Sequence, residues 1–175
     1  MSDRHIRYCP RCGARLARRR NRPGDVLRPT CPACRWIHFD NPAPAAGVLI
    51  ENDRGEVLLG RRALPPFRGW WGIVGGFVEG AEHPEETAVR EVLEETGLRV
   101  RLVGLHGIWM DRYGKTGDYT VNIMFRARII SGDLCPADDV LELRWFARDA
   151  LPARIAFRNG RAALKAWALT LTDYA

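Results

Sequence analysis

The sequence predicts an α/β fold, a mixed sheet packed with helices, preceded by a small cysteine-stapled ribbon. Three observations predict it. Two C-x2-C pairs stand near the N-terminus, a proline-containing segment follows them, and the remainder alternates β-rich runs with one acidic helix and one late helix. A chain of 175 residues suits one ordinary core plus a metal-stapled module.

The ribbon comes first. Cys9-Pro10-Arg11-Cys12 and Cys31-Pro32-Ala33-Cys34 are separated by 18 residues, a spacing that fits a tetrahedral Zn²⁺ site. Four thiolates close the coordination sphere, so this zinc is expected to be structural. The alternative is two disulfides. They need an oxidising compartment, and the chain opens Met1-Ser2-Asp3-Arg4 with no apolar signal segment. A cytoplasmic protein is expected. Cys135 is left over as an ordinary reduced thiol. A ribbon over residues 1–39 is too small for a good core and depends on its metal. The larger domain then spans 40–175. Asp40-Asn41-Pro42-Ala43-Pro44-Ala45 reads as the linker, because prolines resist both helix and central strand.

The elements follow in order. Ala46 to Glu51 and Glu56 to Arg62 flank Asn52-Asp53-Arg54-Gly55, a hairpin signal. Gly72 to Gly80 is a glycine-rich loop. Pro84 suits a first helical turn, Glu85 and Glu86 complement its positive end, and Gly97 suits a left-handed stop. A helix is therefore expected over Pro84 to Thr96, with Ala88, Val89, Val92 and Leu93 as its packing strip. Arg99 to Met110 and Tyr119 to Ile130 are β-rich runs around a turn at Asp111 to Asp118 that includes Lys115 and Thr116. Leu141 to Phe146 is a further strand, and Asn159 is the expected cap of a closing helix through about Leu171.

The net charge of +6 divides unevenly. Residues 1–35 hold ten arginines against Asp3 and Asp25, a net +8. Residues 36–175 hold 17 basic and 19 acidic residues, a net −2. The basicity sits on the ribbon, with Arg18, Arg19, Arg20 and Arg22 at its tip. A basic ribbon suits RNA or phosphate groups. No aromatic residue is interleaved with these arginines to stack bases, so RNA is not the favoured partner. No stretch approaches 18 consecutive apolar residues, and no membrane partner is expected.

The helix carries the chemistry. Glu91 lies three residues from Glu94 and four from Glu95, which brings three carboxylates onto one face. Clustered carboxylates repel, and divalent cations relieve the conflict, since hard Mg²⁺ prefers oxygen ligands. Charge runs on helices usually mark a solvated face. Here Gly72, Gly75, Gly76 and Gly80 lie in the preceding loop and permit close backbone approach, which reverses that reading. Arg90 and Glu82 read as a bidentate pair that shapes loop and helix.

The run from Gly76 to Leu98 is G-x5-E-x7-R-E-U-x-E-E-x-G-U with U aliphatic, complete at every defined position. It resembles the box of the Nudix hydrolases. Gly69-Trp70-Trp71-Gly72 before it and Leu143-Arg144-Trp145-Phe146 after it extend the resemblance, and with the ribbon essentially the whole chain is covered. The resemblance implies an α/β/α sandwich and hydrolysis of a nucleoside diphosphate linked to another group. It is similar to zinc-ribbon enzymes that act on NADH, ADP-ribose or FAD. The S-Q-P-W-x-F-P-x-S array of NADH pyrophosphatases is absent, which moves the weight to ADP-ribose, FAD or a related dinucleotide, with AMP and a phosphate ester as products. NADH hydrolysis and RNA decapping are the enzymatic alternatives, and a nucleotide-sensing regulator is the non-enzymatic one. The resemblance further implies Mg²⁺ or Mn²⁺ held by Glu91, Glu94, Glu95 and the Gly75 carbonyl, and by analogy a homodimer. Glu94 and Glu142 are candidate bases, with Asp138 and Asp139 as weaker ones read as solvated loop charges. Arg90 joins the candidate catalytic set. Arg61, Trp109, Tyr113 and Tyr119 are candidates for substrate binding, and Phe67 is a weaker one.

Overall fold

The computed structural model describes residues 6–114 and 117–170. Lys115, Thr116 and Leu171, named above, lie outside the described residues. The chain divides into two compact units between Asn41 and Pro42.

The first unit holds β1 (Ala17–Arg19) and β2 (Arg28–Thr30), an antiparallel pair with Ala17 opposite Thr30. Among its described residues the buried side chains are Cys9, Thr30 and Cys31, at 3%, 7% and 1% exposure. A module of this size with so little apolar burial needs a staple.

The second unit is a seven-stranded mixed sheet with a helix packed on each face. Its strands are β3 (Ala43–Glu51), β4 (Val57–Arg62), β5 (Trp71–Gly72), β6 (Val74–Phe77), β7 (Arg99–Arg112), β8 (Tyr119–Ser131) and β9 (Val140–Phe146). The helices are α1 (Pro84–Thr96) and α2 (Arg158–Leu169). The path runs β5-β4-β3-β8-β7, with β6 also on β3 and β9 also on β4. β3 and β8 are parallel, and every other pairing in this sheet is antiparallel.

Alternation along the central strands explains the two layers. Val48, Ile50, Leu58, Phe125 and Ala127 point to the core under α1, where they meet Ala88 and Val92. Leu49, Val57, Leu59 and Met124 point to the other face, where they meet Ala163, Leu164 and Trp167 of α2. Both faces are covered, so these strands read as continuous apolar runs.

Helix α1 has the bounds its end signals predict. His83 is the N-cap, its main-chain N–H donates to Glu86 at 2.8 Å in a capping box, and Pro84 opens the helix. Gly97 takes φ 72° and donates to the Leu93 carbonyl at 3.0 Å. The packing strip differs from expectation. Ala88 and Val92 are fully buried, while Val89 and Leu93 are exposed. Thr87, Glu95 and Thr96 complete the buried face instead. Val89 and Leu93 each follow a buried residue by one position, about 100° further round the helix.

Three further expectations are corrected. The linker reading of residues 40–45 fails from Ala43 onward, because β3 begins there. Pro44 accepts from the Val78 N–H at 3.0 Å, so its N–H side faces β6 just beyond the last ladder pair, Ala45 with Phe77. No bond to β8 is lost, and proline is tolerated at such a strand start. The turn expected from Asp111 starts later, since β7 runs through Arg112.

Asn159 does not cap α2, which starts at Arg158 after Phe157, a residue at φ 59° with no side-chain cap of its own. The first two N–H groups of the helix, at Arg158 and Asn159, are instead held by one Asp111 carboxylate oxygen at 2.7 and 2.8 Å. A buried anion at a helix N-terminus satisfies donors that lack helical partners and complements the dipole. The sequence gives no local sign of this, because Asp111 lies 47 and 48 residues away.

Candidate functional site

A cavity of about 210 Å³ opens in the second unit between β3, β6, α1, β8 and the start of α2. Gly75 and Gly76, expected in a loop, lie in β6 on the ladder with β3 and shape one wall. Gly75 has φ 144°, and a Cβ there would strike the Ala46 carbonyl and lie 2.6 Å from the Gly47 Cα. A Cβ on Gly76 would strike the Glu91 carboxylate. Only glycine lets this strand run between β3 and the acidic helix.

Glu91 and Glu95 line the cavity. Glu95 is 7% exposed and accepts the Gly75 N–H at 3.0 Å. Burial, then a hydrogen bond with Asp139, push its carboxyl up to about 9. Burial also raises Glu91, against the pull of Arg90. Glu94 does not line the cavity; it is half exposed, with one oxygen 2.9 Å from Arg90 Nη1.

Arg90 organises the acidic face. Its Nε and Nη2 grip Glu82 at 2.8 and 3.0 Å, the bidentate pair that the spacing suggests. Its Nη1 reaches Glu91 at 2.8 Å. The Arg90 guanidinium, aided by the Thr87 hydroxyl, holds Glu82 down at about 2.

The structure therefore brings together part of the expected set. Gly75, Glu91, Glu95 and Tyr113 share the cavity. Glu142 lies opposite Arg61 on β9 and β4, 3.3 Å from its Nη1 and 2.5 Å from Arg144. Neither Glu142 nor Arg61 lines the cavity. Trp109 packs against the α2-side core, and Tyr119 lies under the Arg112 guanidinium on an exposed face. Phe67 touches Phe157 at 5.1 Å and Trp70 at 5.3 Å, outside the lining.

Several cavity residues were not singled out from sequence. Arg62 lines the cavity in place of Arg61, at a register shift between the two. It donates to the Pro66 carbonyl at 3.0 Å and sits over the Phe157 ring. Asp139 is no free loop charge, because it helps raise the Glu95 carboxyl and lies 3.9 Å from Arg62. Asp138 stays exposed at the rim. Phe157 stacks on Tyr113 at 5.5 Å with a 29° tilt, and Phe77 adjoins Tyr113 at 5.4 Å. Period-two alternation along VLLGRR could have separated Arg62 from Arg61. Nothing local marks Phe157.

The donor set suits a hard divalent cation: Glu91, Glu94, Glu95 and a loop carbonyl offer only oxygen. The buried Glu95 carboxyl, raised by burial beside another acid, is a group that a cation would restore to its charged form. Their ligand atoms do not converge on one point here, because Glu91 and Glu94 turn to Arg90 while Glu95 turns to Gly75.

The ribbon cysteines do converge. Among the described residues they form the one group of at least three potential ligands, with all four Sγ atoms within 4.8 Å of one another. Cys9 and Cys34 stand 3.5 Å apart, as do Cys12 and Cys31. That is far beyond a disulfide bond of about 2.05 Å. The Cys34 N–H donates to Cys31 and lowers that thiol to about 6. Four sulfurs in this arrangement fit a structural zinc.

Comparison with known proteins agrees with both halves. Residues 41–168 match the NUDIX domain family, and residues 7–40 match the zinc ribbon described as Nudix N-terminal. An ADP-ribose pyrophosphatase of Methanocaldococcus jannaschii is 37% identical over 117 residues, covering 67% of this chain and 68% of the relative. An NAD-capped RNA hydrolase NudC of Pseudomonas aeruginosa is 34% identical over 160 residues, covering 89% of this chain. The chain matches only 53% of that relative's length. The crystal structure of a NUDIX hydrolase from Nitrosomonas europaea superposes with a TM-score of 0.81 at 32% identity, covering 93% of this chain and 90% of that one. Among the described residues no helix is long and apolar enough to cross a membrane. With the glutamate box on α1, the glycine loop against β3 and the matched ribbon, this chain belongs to the Nudix hydrolases.

Proposed function

We propose that the enzyme splits the phosphoanhydride of an adenine-containing dinucleotide, with ADP-ribose or FAD foremost, to give AMP and a second phosphate ester. The observation that carries the reading is one cavity lined by acids, a cation and aromatic rings together. Glu91, Glu95 and Asp139 suit a metal–diphosphate group, Arg62 suits phosphate, and Tyr113 with Phe157 suits a ring. The name of the M. jannaschii relative supports the same substrate class.

Glu91, Glu94, Glu95 and the Gly75 carbonyl would hold Mg²⁺ or Mn²⁺. A divalent cation held there supplies charge neutralisation and lowers the pKa of an attacking water. Arg90 orients Glu91 and Glu94 through charge-assisted bonds. Asp139, on Glu95 and beside the cavity, is placed to accept a proton better than Glu142, whose oxygens are occupied by Arg61 and Arg144. Purified enzyme should hydrolyse ADP-ribose with added Mg²⁺ or Mn²⁺ and stop on chelation. An undiminished rate after exhaustive chelation would refute the metal-dependent reading.

A second reading is removal of an NAD cap from RNA. The NudC relative favours it, since its match covers 89% of this chain and so reaches beyond the NUDIX domain, and so do the exposed arginines Arg18 and Arg19 on β1 and Arg20 after it.

A further inference from the structure

Two asparagines in the cavity wall present unused hydrogen-bonding atoms. Asn122 on β8 and Asn159 on α2 are each 8% exposed, and both line the cavity. Buried polar groups are normally satisfied within the protein or by what binds to it.

The Asn122 amide nitrogen donates to the Trp109 carbonyl at 3.2 Å, the Thr120 carbonyl at 3.4 Å and the Thr120 hydroxyl at 2.9 Å. These bonds fix the amide and leave Oδ1 as a free acceptor. Asn159 is fixed the other way round. Its Oδ1 accepts the Gly160 N–H at 2.7 Å, which leaves Nδ2 as a free donor. Its backbone is held in turn by Asp111 at 2.8 Å. Neither free atom is among the fully enclosed unpartnered ones, which are Arg112 Nε and Trp167 Nε1 among the described residues. Both are therefore solvent-accessible atoms on residues that line the cavity.

Sheet register sets the distance to the acidic wall. Ala45 on β3 pairs with Asn122 on one side and with Phe77 of the glycine-loop strand on the other. Two strand spacings, about 10 Å, thus separate Asn122 from that strand. A phosphate at the loop and a base near the asparagines lie within one nucleotide's reach. Tyr113 and Phe157 offer ring faces in the same cavity.

We propose that Asn122 and Asn159 determine base specificity by reading the amino edge of adenine. Asn122 Oδ1 accepts from the 6-amino group, and Asn159 Nδ2 donates to N1, the ring nitrogen beside it. An asparagine amide pairs with the N6/N7 edge of adenine in this donor–acceptor sense; the N6/N1 edge offers the same pattern, and here the donor and acceptor come from two residues. The assignment rests on the adenine-dinucleotide reading above and names the residues that would enforce it.

The test compares Asn159→Asp and Asn122→Ala with wild type. Asn159→Asp keeps the acceptor for Gly160, loses the donor and adds a charge near Asp111, so each analogue is compared with ADP-ribose within the same variant, and this variant carries the test even if Asn122→Ala fails to fold. Substrates are ADP-ribose, its analogue without the 6-amino group, and its 1-deaza analogue. Calorimetric binding of AMP and of purine riboside 5′-monophosphate runs in parallel. Wild type should disfavour each analogue by about tenfold to a hundredfold, the scale of one buried hydrogen bond left unmade. In Asn159→Asp the 1-deaza penalty should vanish, with KM moving more than kcat. In Asn122→Ala the penalty for the missing amino group should vanish. A merely structural role would lower stability and leave these ratios unchanged, and unchanged ratios in folded variants overturn the proposal. If wild type hydrolyses no adenine dinucleotide yet binds AMP over purine riboside monophosphate through these residues, the base assignment stands and the reaction reading falls. If wild type shows no such binding preference, the base assignment itself is overturned.

Discussion

Glu95→Gln is expected to cut turnover by more than about a hundredfold while leaving the fold intact. Removing groups that merely orient a metal ligand costs about 10- to 100-fold, and Glu95 is proposed as a ligand itself. Glutamine keeps the side-chain length, the helix propensity and an oxygen for the Gly75 N–H. Near-normal rates at saturating Mg²⁺ would remove Glu95 from the metal site.

The same variant should be more stable than wild type when metal is removed. Burial raises Glu95 from near 4.5 to about 9. The folded state then holds this proton more tightly than the unfolded chain, so the group's stabilising contribution is complete below about 4.5. It is lost as pH rises toward about 9. Glutamine does not ionise and escapes that loss. Melting curves of the metal-free proteins should therefore separate by a few degrees at pH 8, on a scale of about 2–4 °C per kcal/mol for a chain of this size. They should converge near pH 4. A wild-type protein that outlasts the variant at pH 8 without metal would contradict the burial argument.

The second large effect concerns the ribbon. Cys31→Ser should reduce bound zinc from close to one per chain to near zero by elemental analysis. Cys31 is 1% exposed, and its sulfur lies 3.5 Å from that of Cys12 and accepts the Cys34 N–H. Three thiolates close a tetrahedral site poorly, and structural zinc contributes about 10–16 kcal/mol to folding in small modules. The ribbon should unfold, visible as loss of its amide protection. Hydrolysis should fall less than zinc content does, because the cavity is built from the second unit alone. A zinc-free wild type with disulfides among these four cysteines would sink the assignment.

What the sequence made legible was local. Pro84 and Gly97 delimited α1, because capping is decided within one turn. The C-x2-C spacing brought four sulfurs together. Gly75 marked a backbone that admits no side chain. What stayed hidden depends on tertiary partners. Asp111 caps α2 from 47 residues away. Phe157 reaches Tyr113 from a positive φ that no residue type announces. Glu142 looked catalytic from its place before Trp145, yet strand pairing sets it against Arg61. Val89 and Leu93 looked like core, yet no neighbouring element covers them enough to bury them.

The most direct measurement is a hydrolysis screen at fixed Mg²⁺ with products separated by chromatography. The panel is ADP-ribose, FAD, NADH, NAD⁺, diadenosine polyphosphates and NAD-capped RNA, compared by kcat/KM. The account predicts highest values for ADP-ribose or FAD, with AMP as the shared product and ribose 5-phosphate or flavin mononucleotide as the other. Efficient decapping of NAD-capped RNA beside negligible turnover of ADP-ribose and FAD would contradict it.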